Sequence, residues 1–347
     1  MTRKLIDLLT TISNENDALD SQALSNLSDL NASELTQFQS AWNDYSLTRR
    51  QELLTTLLEL AEDRIEYDYR TIFIWTLQDP DPTIRVLSLE GLWEDERAQL
   101  ISGFKRLLHH DDATEVRAAA ALALGRFVYL EETGALAPDH ADQASEALWD
   151  SFHNPAEHVH VRRRALEGIA ASGQTNITRL IENALYEGDG SMRVSALYAM
   201  GRNADPRWVP YLIPELKHDD PEIRMEAVRS LGELEARPAV QRIIQLIAIE
   251  TDAEVRIEAL TALGKIGGDE AREALEAATE WDDEAIVSAA ESALEELSSS
   301  DGSAYDLIGE VLGIEIEEGF ELADEFDEDP LEAEIRQLLD DRDEWLG

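Results

Sequence analysis

The chain has 347 residues, 44% of them hydrophobic, enough apolar material for two compact domains or one elongated repeat array and too much for global disorder. Its 74 acidic side chains outnumber 29 basic ones, a formal charge of −45, and so negative a surface excludes broad binding to nucleic acid or to anionic membranes. With no cysteine there is no disulfide, thiolate metal site, Fe–S cluster or cysteine nucleophile. No secretory leader is visible and no apolar run nears the ~18 residues of a membrane span, so the expected setting is cytoplasmic.

In chain order, residues 1–45 read as an N-terminal helical cap, in which Asn31-Ala-Ser-Glu34 is the capping box of a helix running to Trp42. Residues 46–297 repeat one phrase: an acidic turn, an aliphatic residue, an arginine, then a small-residue-rich helix ending in Leu-Gly or a variant. The arginines are Arg85, Arg117, Arg162, Arg193, Arg224 and Arg256, spaced 31 or 32 apart except for 45 between Arg117 and Arg162. An earlier copy is Ser46-Leu-Thr-Arg-Arg50, and a last copy at Asp283-Glu-Ala-Ile-Val287 has lost the arginine. The long gap marks an insertion between Leu130 and His140, which is expected to protrude from the stack.

Other segments lie between the arginine phrases, such as Trp208–Leu216 and Val240–Ile247, with apolar residues at i, i+3 and i+4. Each unit is therefore two antiparallel helices, and nothing alternates like a strand. The predicted fold is all-α, with seven to eight helix pairs. Asp81 and Asp220 are N-caps, and Pro82 and Pro221 take the first helical position, where no N–H is needed. Ile223, Ala227, Val228, Leu231 and Leu234 form one buried stripe. The arginine is one residue off that stripe, so the six form a structural ladder at the repeat edges, each bonding an Asp or a carbonyl of the adjacent unit. Trp93, Trp208 and Trp281 are expected to fill the seams between repeats.

These units resemble HEAT repeats, in particular the short phycobilisome-lyase-like variety with its D-x-x-(V/I)-R-x-x-A-x-x-A-L-G pattern. The resemblance covers roughly residues 46–297 and implies a right-handed α-solenoid, a HEAT-type superhelix whose second helices line a concave face. Off the apolar stripe those helices carry Arg126, Arg164, Tyr198, Arg202, Arg229 and Lys265, a candidate basic strip for binding a protein or peptide partner. The alternative is that these cations pair with interleaved glutamates such as Glu226, Glu233 and Glu258.

Ser298–Ser303 reads as a flexible linker, and 304–347 as an acidic tail with a short amphipathic helix after Pro330. Residues 301–347 hold 18 acids and two arginines, a charge that could occupy the basic strip and gate it. No catalytic, cofactor-binding or metal-ligating residue stands out. Some HEAT-repeat proteins are di-iron hydroxylases with His-Glu pairs, but no His-Glu dipeptide occurs here. His153, His158 and His160 fall together at a turn and read as surface residues. There is no phosphate loop and no G-x-S-x-G elbow. The expected function is a non-enzymatic scaffold or adaptor. The alternative that the resemblance implies is a bilin-lyase-like enzyme or enzyme subunit.

Overall fold

The computed structural model describes residues 2–312 apart from Asn16, Thr175 and Gly188. Helices account for the described secondary structure, and no strand occurs among the described residues. One compact unit is Met1–Gly173. It holds α1 (Thr2–Ile12), α2 (Ser21–Leu24), α3 (Ala32–Trp42), α4 (Leu47–Asp63), α5 (Arg70–Thr76), α6 (Pro82–Glu90), α7 (Leu100–His110), α8 (Thr114–Glu132), α9 (Pro138–His153) and α10 (Val159–Ile169). The other is Gln174–Gly347. It holds α11 (Ile177–Glu187), α12 (Gly190–Asn203), α13 (Val209–Glu215), α14 (Pro221–Glu233), α15 (Val240–Ile249), α16 (Ala253–Ile266), α17 (Asp269–Ala278) and α18 (Glu284–Leu312).

Each unit is an α-solenoid stack of helix pairs. In the first, α5 packs on α6, α7 on α8 and α9 on α10; in the second, α11, α13, α15 and α17 pack on α12, α14, α16 and α18. The starts follow local chemistry. Asp81, Asp220 and Asp252 accept from free amides of the first turns of α6, α14 and α16, and Pro82 and Pro221 open their helices. On α14, Ile223, Ala227, Val228 and Leu231 are buried, and Leu234 at its end is half-buried.

Second helices stack on second helices: α4, α6, α8 and α10 in the first unit, α12, α14, α16 and α18 in the second. Small residues allow the close approach. A Cβ on Gly125 of α8 would stand 2.5 Å from the Gly168 Cα of α10. At the α12–α14 seam the buried Ser230 hydroxyl donates to the Leu197 carbonyl, 2.8 Å away. This satisfies a buried polar group across two repeats.

At the N-terminal end α3 packs on the first repeat. Phe38 and Trp42 of α3 pack edge-on against Trp75 of α5, and the Trp42 indole donates to Asp79 at 2.7 Å. Arg50 of α4 bonds the Trp42 and Asn43 carbonyls and Asp79. The boundary expected at 45/46 therefore falls inside the turn joining α3 to α4, a turn that Arg50 itself ties together. Asn31 and Glu34 form the capping box of α3. Ahead of it, Leu5, Leu8, Leu9 and Ile12 bury one side of α1. The buried Arg49 guanidinium holds the following loop, donating to the Asn14 and Asp17 carbonyls at 2.5 and 2.7 Å and to Glu52 at 2.9 Å. Arg49→Met should release that loop. Limited proteolysis is expected to cut the variant between α1 and α2 at least ten times faster than the wild type, with the remainder intact.

The insertion takes the form of longer helices, a 19-residue α8 and a 16-residue α9, joined through Gly134, which takes a positive φ of 75°, with Pro138 restarting the helix. One expectation is corrected: Ser298–Ser303 is not a flexible linker, because α18 runs through it to Leu312. Ser298 and Ser299 return their hydroxyls to the carbonyls of Leu294 and Glu295, so the serines are satisfied without leaving the helix. The acidic tail from residue 313 onward, with its helix after Pro330, lies outside the described residues. No described helix is long and apolar enough to cross a membrane.

Candidate binding face

The repeat edges are held by arginines, each placed one turn into a second helix. In the fullest form the guanidinium makes two sets of bonds. One Nη reaches back to carbonyls of the preceding turn: Asp79 and Pro80 for Arg85, Asp111 and Asp112 for Arg117, His218 and Asp219 for Arg224. The Nε and the other Nη grip a carboxylate of the next repeat. Arg85 takes Asp111 at 2.8 and 2.7 Å, Arg117 takes Glu157, Arg193 takes Glu215, and Arg224 takes Glu250 at 2.7 and 2.8 Å. The acid is fixed in turn. Glu250 accepts the Thr251 and Asp252 amides, and the Arg224 bonds together with these hold its carboxyl down to about 2.

Two positions differ. Arg162 donates to the Phe152 carbonyl at 2.8 Å and lies over the Phe152 ring. The Arg256 Nε is buried without a hydrogen-bond partner, and Asp282, 26 residues on where Arg224 finds Glu250, is exposed.

One turn further along the second helices, at two, five and nine residues past the ladder arginine, lies the face that the sequence marks as a basic strip. Arg126, Arg164, Arg229 and Lys265 are spent on glutamates. Arg126 bonds Glu96 at 3.0 Å and stacks on Trp93 at 5.9 Å. Arg164 bonds Glu167 at 2.5 Å. Arg229 takes Glu258 with two bonds of 3.1 Å and Glu226 at 3.2 Å, and Lys265 bonds Glu233 at 2.6 Å. Tyr198 and Arg202 border a shallow cavity of about 200 Å³ between α12 and α14, together with Glu226, Arg229 and Glu233. The face is thus a charge-alternating surface with paired cations.

The family model of HEAT repeats matches residues 70–170, 177–253 and 209–295. The chain belongs to the HEAT-repeat family. As a HEAT-repeat protein it resembles solved structures in fold alone. Human deoxyhypusine hydroxylase in complex with glycerol is 19% identical, over 86% of this chain and 96% of that one, with a TM-score of 0.29. The Escherichia coli protein YibA is 18% identical, over 81% and 98%, at 0.45. The CpcE–CpcF complex of phycocyanin lyase from Nostoc is 18% identical, over 66% and 94%, at 0.41. No curated protein matches this sequence.

Around the HEAT repeats, further side chains take defined places. Trp208 is buried and its indole donates to Asn203 at 2.9 Å, but Trp93 and Trp281 are 49% and 37% exposed rather than sealed in seams. His153 bonds the Trp149 carbonyl and His158 caps its own helix through the His160 amide. Among the described residues no group of three or more His, Asp or Glu is placed to hold a metal ion. Sequence reasoning missed a second repeat mark, the Asp-x-Arg turn that precedes a first helix. Asp68 bonds Arg70, Asp95 bonds Arg97 and Asp205 bonds Arg207, and each aspartate also accepts its arginine's amide. Its signal in the sequence is the recurrence of Asp-x-Arg 15 to 20 residues before a ladder arginine.

Proposed function

We propose that this HEAT-repeat protein is a cytoplasmic, non-enzymatic adaptor that docks a segment of a protein partner along its second-helix face. What supports the reading is that face: within each unit an unbroken layer of second helices presents charged side chains at one repeating register, with the half-buried Tyr198 among them. Repeat stacks offer extended surfaces of this kind to protein partners. The charge of −45 disfavours nucleic acid as the partner.

Affinity capture from the host lysate tests it, with the full chain and a Trp93→Ala/Tyr198→Ala/Arg229→Glu variant, which alters the face of both units, as baits. A partner held by the wild type and lost from the variant is the expected result; equal recovery on both baits contradicts docking along this face. Gating by the acidic tail competes with the same ion pairs, because its carboxylates must displace Glu226, Glu233 and Glu258 to reach Arg229 and Lys265. Stronger capture by a chain ending at residue 312 is the outcome that gating requires. A bilin-lyase-like activity would instead give a coloured or spectrally shifted adduct when bilin is added.

A further inference from the structure

The same register reads differently in the two units. In Gln174–Gly347 it carries the ion-pair chain of Glu226, Arg229, Glu258, Glu233 and Lys265. In Met1–Gly173 it carries Leu87, Glu90 and Glu94 after Arg85, Ala119, Leu122 and Arg126 after Arg117, and the paired Arg164 and Glu167 with Ala171 after Arg162. Leu87, Ala119 and Leu122 are half-buried, so α6 and α8 show apolar side chains outward as well as inward. Trp93 lies 49% exposed under the Arg126 guanidinium, and Tyr129, 40% exposed, follows Arg126 by one turn of α8.

Charge decides what this patch can receive. Its one cation, Arg126, already holds Glu96. Glu90 is met by no described cation, and partial burial alone raises its carboxyl above the usual range. An acidic partner would meet an open carboxylate on a molecule of charge −45. A basic partner would meet its complement, beside an indole that attracts cations to its face and apolar groups to its edge.

We propose that the α6–α8 face of the first unit docks a basic partner segment, in which a lysine or arginine pairs with Glu90 and a neighbouring large apolar residue packs on Trp93 and Leu122. This deepens the adaptor reading and rests on it, since it takes the second-helix face as the binding face. It replaces the acidic partner that a basic strip would select.

The test is selection from a phage-displayed library of random 12-residue peptides on the full chain. Enriched peptides are then synthesised and their affinity is measured by fluorescence anisotropy at 150 mM salt. They are expected to carry net positive charge with a large apolar residue beside a lysine or arginine. Trp93→Ala should weaken them at least tenfold and Glu90→Gln about fivefold. Glu270→Gln, an equal loss of charge at an exposed site on α17, should leave them unchanged. Both unit-one positions are solvent-exposed, and an unchanged helical circular dichroism spectrum verifies that the variants are folded.

Enrichment of net-negative peptides, no enrichment, or peptides indifferent to both Trp93 and Glu90 would overturn the proposal. Peptides indifferent to those two residues but lost from Arg229→Glu would sink this inference alone and leave the adaptor reading standing.

Discussion

Replacing Arg224 with methionine is expected to destabilise the fold by about 3–5 kcal/mol, the range for breaking a buried ion pair from one side. Methionine keeps much of the stem's packing but strands the Glu250 carboxylate, only 3% of which is exposed, and leaves the His218 and Asp219 carbonyls without their donor. The pH dependence has a definite sign. The folded pKa of Glu250, about 2, lies below its ordinary value of 4.5. Its contribution, about 3 kcal/mol from the size of that depression, is therefore complete above pH 4.5 and disappears as the pH falls toward 2.

Urea unfolding at pH 7 and pH 3 measures both quantities. The wild type should lose stability between the two, and Arg224→Met should lose much less, being already weakened at pH 7. Arg224→Met/Glu250→Leu should recover a large part of the loss, because the stranded charge is gone. A single-variant loss below 1 kcal/mol would mean that water screens the pair.

Gly125→Val is expected to cost about 3 kcal/mol, the upper end for overpacking a fitted seam. The added Cβ would sit 2.5 Å from the Gly168 Cα and 2.9 Å from its carbonyl oxygen. Both are backbone atoms, so no side-chain rotation relieves the clash and α8 must separate from α10. Gly103→Ala on α7 is the matched contrast: nothing lies within 4 Å of its added Cβ, and helix propensity alone should stabilise the protein by up to about 1 kcal/mol. Opposite shifts in the thermal midpoint are expected. A Gly125→Val midpoint equal to that of the wild type would show that the seam is looser than the geometry described here.

The repeat was legible because its chemistry is local. Asp220, Pro221 and Arg224 fall within five residues, and each answers a need of the same helix start, so their recurrence announces the α-solenoid. What lies across the seam was less legible. That Arg224 meets Glu250 depends on how two repeats stack, and in so acidic a chain the sequence holds many carboxylates at similar distances. Arg126, Arg164, Arg229 and Lys265 were marked as a strip from helical register, but register alone does not say that Glu96, Glu167, Glu226, Glu258 and Glu233 reach them. Ser298–Ser303 misled because serine and glycine are linker residues in composition, whereas a serine hydroxyl that returns to its own helix, as at Ser298, needs no linker. Trp93 misled in the same way: an indole usually seeks a seam, and here it lies beneath Arg126 at the surface.

The most direct measurement is cross-linking mass spectrometry of the full chain with its captured partner, using a carboxylate-directed reagent suited to a protein with 74 acids and four lysines. Docking along the second-helix face places the cross-links on acids of α6, α8, α10, α12, α14 and α16 and the turns that follow them, with Glu90 and Glu94 among them. Cross-links confined to the first helices, or to residues 313–347, would contradict it.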